Sequence, residues 1–357
     1  MSTILDSVRK TRADFLAEVI KAGDTGYHPD LQPFAAAPGM RSDVDSLGGF
    51  LIPGDWAEDI WTKMYTTSEV LGRCEDFGAP AGNRHYLPCI NESSRADGSR
   101  HGSVCAYWTR EAAAISDSKM KLGVQTRGLR KIIALGYITD EMLEDVPQLV
   151  EFATRVFSLE LSFAFAEAII NGTGADRPQG LLHSPAKICV DKITNQTAGT
   201  IWPGNVTAMI ARMWPGSFRT SCWLFNPELL PQLSALADQG TFGSGATDVG
   251  IAPGPLWNWD GNAYSGGWPT LCGRPAIPIE SCQTAGTEGD LILTSLKDYG
   301  IVAKPRGVLS MHVRFIYNES AFRLSMRCDG ASLWGEPLTP IYGSSTFSPI
   351  VTLTTRA

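Results

Sequence analysis

The stretch YITDEMLEDVPQLVEFATRVFSLELSFAFAEAIINGTGADRPQGLL, residues 137–182, decides the fold. Asp145 stands where a helix N-cap belongs, Pro147 suits the first turn, and Asn171-Gly172 supplies a C-terminal stop. Pro147–Asn171 therefore predicts about 24 helical residues, roughly 36 Å at ~1.5 Å per residue. Phe152, Val156, Leu159, Phe163, Ala166 and Ile170 recur at helical spacing and predict one apolar stripe. The opposite face reads as acidic: residues 138–169 hold seven Asp/Glu and Arg155 as the one basic residue. Taken alone, that pattern is a core helix with a solvated face.

Upstream, Arg84–Ile90 and Leu122–Ile138 have strand character and enclose the polar segment NESSRADGSRHGS, residues 91–103. Asp97-Gly98 marks a turn near its middle. A long polar excursion between strands has no core of its own and is commonly functional. Earlier still, residues 2–22 predict an amphipathic helix through Ile4, Leu5, Val8, Phe15, Leu16 and Val19. Residues 23–46 are rich in Pro, Gly and Ala and read as an extended arm. A short helix is expected from Asp55 to about Tyr65. Downstream, Val206–Trp214 and Pro227–Asp238 predict helices, the second capped by Asn226. Residues 240–268 read as loop, and strands are expected at Leu291–Thr294, Gly300–Ala303, Met311–Tyr317 and Phe322–Cys328. Helices and strands do not alternate regularly, so the class is α+β.

Composition narrows the function. The chain has 357 residues, 43% of them hydrophobic, and a net charge of -7, which argues against a dedicated nucleic-acid binder. Charge is unevenly placed: Arg84 to Lys131 holds nine Lys/Arg against four Asp/Glu, leaving the rest of the chain strongly acidic. No apolar run approaches the ~20 residues of a membrane span, and the charged N-terminus is no signal peptide. The eight cysteines stand singly and include no Cys-x-x-Cys pair, which excludes the usual zinc and thioredoxin patterns. They are expected to be thiols, with a Cys89–Cys105 bridge as the alternative.

No metal or cofactor site is expected, because the five histidines are isolated. Gly172-Thr173-Gly174 follows a helix, whereas a dinucleotide fingerprint opens one, so it reads as a helix stop. Gly240–Gly245 lacks the Lys-Ser/Thr of a phosphate loop, and no Gly-x-Ser-x-Gly elbow occurs. Asp140, Glu141, Glu144 and Asp145 could hold a cation but equally answer the dipole at a helix start. No positive case for an enzyme emerges.

The order of these pieces resembles the HK97-type major capsid proteins of tailed phages. LGGFLIP (47–53) is similar to the family's entry from N-arm into body, and AYWTREAAAISDSKMKL (106–122) to the returning limb of its extended loop. YITDEMLEDV (137–146), the long helix and AIINGTGADRPQGLL (168–182) resemble the spine helix and its exit. WLFNPELLPQLSALAD (223–238) and LCGRPAIPIESC (271–282) resemble the axial domain. FRLSMRCDGASLW (322–334) resembles the strand returning to the peripheral domain.

The resemblance implies an N-arm at 1–50 and a peripheral domain at 51–83, 137–199 and 309–337. It also implies an extended loop at 84–136, an axial domain at 200–308 and a C-terminal segment at 338–357, with the axial domain as its candidate place. It further implies self-assembly into hexamers and pentamers of an icosahedral head, assembled in the host cytoplasm and enclosing double-stranded DNA held non-specifically. Partners would include a portal, a separate scaffolding protein and a decoration protein, with no membrane. An encapsulin-type compartment shell is the alternative.

Within that frame the basic loop is expected to lie on the acidic spine of an adjacent subunit. Arg84, Arg95, Arg100, Arg110, Lys119 and Lys121 would face Glu144, Glu151 and Glu160. Some relatives weld this loop to a neighbour through a Lys–Asn bond. Here no lysine occurs between Pro80 and Ser118, and arginine cannot replace it as nucleophile, so no weld is expected.

Overall fold

The computed structural model describes residues 49–51, 64, 68–78, 82–89, 92–96, 99–100, 104–106, 108–110, 123–139, 149–236, 256–259, 267–314 and 319–356. The helices expected at 2–22 and 55–65, apart from Met64, and the arm at 23–46 lie outside those residues.

Two sheets organise the chain. The first joins β1 (Gly49–Leu51), β14 (Tyr299–Arg314), β15 (Glu319–Ser332) and β7 (Arg130–Thr139) in that order, all antiparallel. β2 (Glu75–Asp76) runs parallel to β14 at its start. The strands expected at 300–303 and 311–317 are thus one long strand, described as far as Arg314, which begins at Tyr299, ahead of the 308 boundary. Its register against β15 shifts between Lys304 and Val308, a span that contains Pro305, which has no N–H to give to a ladder.

The second sheet is mixed and seven-stranded: β10 (Trp257–Asn258), β11 (Thr270–Leu271), β12 (Arg274–Pro278), β9 (Ser221–Phe225), β13 (Leu291–Ser295), β16 (Ile350–Leu353) and β8 (Ile188–Val190). SCWLF, LILTS and IVTL are buried from end to end, because both faces of this sheet are covered. Cys222, Leu224, Ile292 and Ile350 face one core, while Trp223, Phe225, Leu291, Leu293, Val351 and Leu353 face the other. The helix α2 (Pro203–Arg212) covers that second face with Val206 and Met209. Asn226 caps the next turn as expected, accepting from Glu228 N at 3.0 Å, but the helix then amounts to a 3-10 turn and α3 (Leu230–Ser234).

The long helix α1 (Leu149–Asn171) packs on β7. Gly136 makes the approach close: a Cβ there would sit 3.0 Å from the Phe157 ring. The buried face carries Ser158, Leu161, Ser162, Phe165, Ala168 and Ile169. This corrects the expected stripe in part: Ala166 and Ile170 are buried as expected, whereas Val156, Leu159 and Phe163 point outward and are nearly half exposed. Glu160 shares their outer face. The reason is physical. α1 is apolar on nearly every side, and the true inner face uses two serines that a hydrophobic count passes over. One of them, Ser162, donates to Met64 O at 3.3 Å.

The helix exit explains its motif. Gly180 N donates to Gly172 O at 2.7 Å, and a Cβ on Gly180 would fall 2.5 Å from Gly172 N, so the two backbones meet where no side chain fits. Gly174 takes the left-handed turn, φ 82°. Asn171 donates to Ser281 O at 2.7 Å, while Gln179 N reaches Gly330 O on β15 at 3.0 Å. One short segment therefore ties α1 to the first sheet and to the loop preceding β13.

Candidate intersubunit site

The polar excursion is carried on a two-stranded arm, β3 (Arg84–Cys89) against β6 (Gly123–Gly128), with a smaller pair, β4 (Ser99–Arg100) and β5 (Val104–Cys105), further out. Among the described residues neither pair joins another sheet. Tyr86 and Val124 are exposed on the arm, and Trp108 is wholly exposed. Large apolar side chains in water on a core-less arm are the signature of a surface awaiting a partner.

Of the expected contact residues, Arg84 and Arg110 are exposed on this arm and Glu160 is exposed on α1. Arg100 lies on β4 and Glu151 on α1. Lys119, Lys121 and Glu144 fall outside the described residues, as do Asp145 and Pro147. Arg95 has partners within its own chain. Its guanidinium grips Glu92 with two bonds, 2.7 and 3.2 Å, and lies 4.5 Å above the Trp214 ring.

Two further apolar rows are exposed, one unmarked by sequence reasoning and one expected there to face the core. β7 turns Ile132, Ala134 and Gly136 toward α1 and leaves Ile133, Leu135 and Tyr137 exposed on its outer face. KIIALGYI is apolar at both parities, and that was the available signal: a strand with two apolar faces has two surfaces to cover. The second row is Val156, Leu159 and Phe163 on α1, interleaved with Glu160 and backed by Glu167. Apolar and acidic groups thus share one face, a combination suited to a basic loop with aromatic side chains.

Among the described residues no group of three His, Cys, Asp or Glu could hold a metal ion, and no helix is long and apolar enough to cross a membrane. Seven described cysteines carry thiols rather than disulfides, and Cys89 is not among those described by side chain. Burial pushes Cys222, Cys282 and Cys328 up to about 12, so these thiols stay protonated and inert.

Comparison with known proteins agrees with this architecture. The model of the phage capsid family matches residues 48–341. No curated protein matches the sequence. Among solved structures, the capsid of a native GTA particle superposes with a TM-score of 0.55 at 15% identity, covering 90% of this chain and 96% of its own. The capsid of an empty GTA particle gives 0.53 at 16%, covering 82% and 90%. A structure from Gordonia phage Cozz gives 0.50 at 12%, covering 81% and 87%. Identities this low establish the shared α+β fold, that of HK97-like capsid proteins, and the family model establishes descent. The chain belongs to the phage capsid family, as a major capsid protein.

Proposed function

We propose that this chain is the repeating subunit of an icosahedral phage head, assembling with itself into hexamers and pentamers around double-stranded DNA. The family match across residues 48–341 carries the reading. The exposed apolar rows on β7 and α1, and Tyr86, Val124 and Trp108 on the arm and its loop, support it, because among the described residues nothing covers them. The relatives are phage and GTA particle capsids, which favours a phage-type head over the encapsulin-type compartment.

The segments at 1–50, 84–136 and 200–308 serve as N-arm, extended loop and axial domain in this reading. β16, from the segment at 338–357, and β8, from the segment at 137–199, complete the axial sheet. The exposed Arg84 and Arg110 meet the acidic, apolar face around Glu160 on an adjacent copy. Exposed ion pairs contribute ~0–1 kcal/mol each, so charge sets register and repeated apolar contact supplies strength. Portal, scaffolding and decoration proteins complete the particle, which assembles in the host cytoplasm. The role is structural, without catalysis. Negative-stain electron microscopy of the purified protein is the test: closed shells are expected, and a uniformly monomeric protein under all assembly conditions would sink the proposal.

A further inference from the structure

The segment Glu92–Arg95 sits in a built seat on its own chain. Arg95 N donates to Thr339 O at 3.0 Å, Thr339 N donates to Ser93 O at 2.9 Å, and Ser94 and Thr339 form a parallel bridge. The Glu92 and Arg95 side chains are 4% and 16% exposed, a pair largely withdrawn from water. Beneath them Trp214 is fixed by its neighbours: Trp334 and Phe347 lie 5.8 and 6.4 Å away between ring centres. Its backbone N donates to Ser348 O at 3.0 Å. Gly216 flanks the same ring, where a Cβ would fall 2.4 Å from Trp214 Nε1. The seat is therefore rigid and specific.

The carrier is less firmly held. Among the described residues β3 and β6 pair with each other and with no other strand, and Arg127 on β6 bonds the Gln179 side chain at the helix exit. Their base holds Gly78 (φ 74°), Gly82 and Gly128, with no crowding around Gly78 or Gly128. Such a base can turn as a unit. A well-made seat for the tip of a loosely held arm is the arrangement in which identical elements exchange between copies, since the bonds broken within one chain re-form unchanged between two.

We propose that the free subunit is self-latched at this seat. On assembly the arm swings out, and the vacated Trp214–Thr339 seat takes the Glu92–Arg95 segment of a neighbouring copy. The balance is set by concentration. The tethered segment sees its own seat at an effective concentration on the order of mM, which a dilute solution of subunits does not match and a growing lattice does. Latching thus holds free subunits apart until a nucleus forms. The inference rests on the capsid reading above.

Ser94 and Thr339 are bridge partners, close enough for a disulfide when both are cysteine. In the Ser94→Cys/Thr339→Cys variant, oxidation of soluble subunits is expected to give an intrachain bond and a faster-migrating monomer. Those subunits should form shells only after reduction. Oxidation of finished particles is expected to give an interchain ladder above the wild-type background. Shells from oxidised subunits at the reduced yield, or particles giving only the intrachain monomer, would overturn the latch. If the double variant misfolds, Ser94→Cys and Thr339→Cys chains mixed and co-assembled serve instead. A heterodimer band supports exchange, and shells lacking it refute exchange. Absence of shells from wild-type protein is a different result, and it overturns the capsid reading itself.

Discussion

Arg356 shows how much a single side chain can hold. It is fully buried and ion-paired to Asp290, which is equally buried. Its Nε donates to Thr200 O at 3.0 Å and its backbone N to Gly286 O at 2.7 Å. Asp290 is used twice more, accepting from Gly286 N and Leu291 N, both at 2.8 Å. Arg356→Ala leaves that carboxylate uncompensated in the interior and is expected to cost ~3–5 kcal/mol in chemical denaturation. Nothing in the residues around Arg356 marks it, because its partners lie 66 and 156 positions away. The same scale covers the thiols. With Cys222, Cys282 and Cys328 raised to about 12 by burial, alkylation of native protein at pH 8 should spare them and reach the exposed Cys189. All should react in denaturant, as peptide mass mapping would show.

At the scale of elements, α1 carries the main lesson. Its existence and its stop at Asn171-Gly172 were legible from length and punctuation, and its buried side only at Ala166 and Ile170. Helical spacing finds an apolar face only when the other face is polar. Here Val156, Leu159 and Phe163 face out while Ser158 and Ser162 face in, and in the proposed shell that outward face meets another subunit, where apolar residues are as useful as in a core. Replacing Leu159 and Phe163 together by Ser should leave the soluble subunit's melting temperature within a few degrees, since surface substitutions are usually within about 0.5 kcal/mol. Shell yield should fall severalfold by sedimentation. An equal loss of subunit stability would mean that these side chains belong to the core. α2 forms where a helix was expected, and the α3 region differs: Asn226 was read correctly as a cap, but Pro231 follows it closely, and the expected helix shrinks to single turns.

For the whole molecule, the α+β class and the order of the pieces were readable, and strand boundaries were less so. β8 joins the second sheet from a segment read as peripheral, while β16 comes from the C-terminal segment whose candidate place was axial; their pairing, 163 residues apart, leaves no local trace. The loop was recognised by its charge and lack of core, and its seat on Trp214 and Thr339 was invisible for the same reason. Assembled particles should run as a single monomer band in denaturing gel electrophoresis without oxidant, because no lysine lies between Pro80 and Ser118 to form a weld. A ladder resistant to reductant would contradict this.

The register shift in β14 between Lys304 and Val308 bears on geometry at a larger scale. A ladder bonded without interruption bends as one plank, and any change of angle strains every rung. Here the rungs of β14 stop on one side of Pro305 and resume past it, while β15 stays bonded to β7 without a break from Glu319 to Cys328, so the joint belongs to the β14 ladder alone. A closed polyhedron asks one sequence to occupy flat facets and sharp vertices alike. A sheet with one ladder whole and the next one jointed lets β14 change its angle while β15 and β7 keep every rung, and no strand is rethreaded.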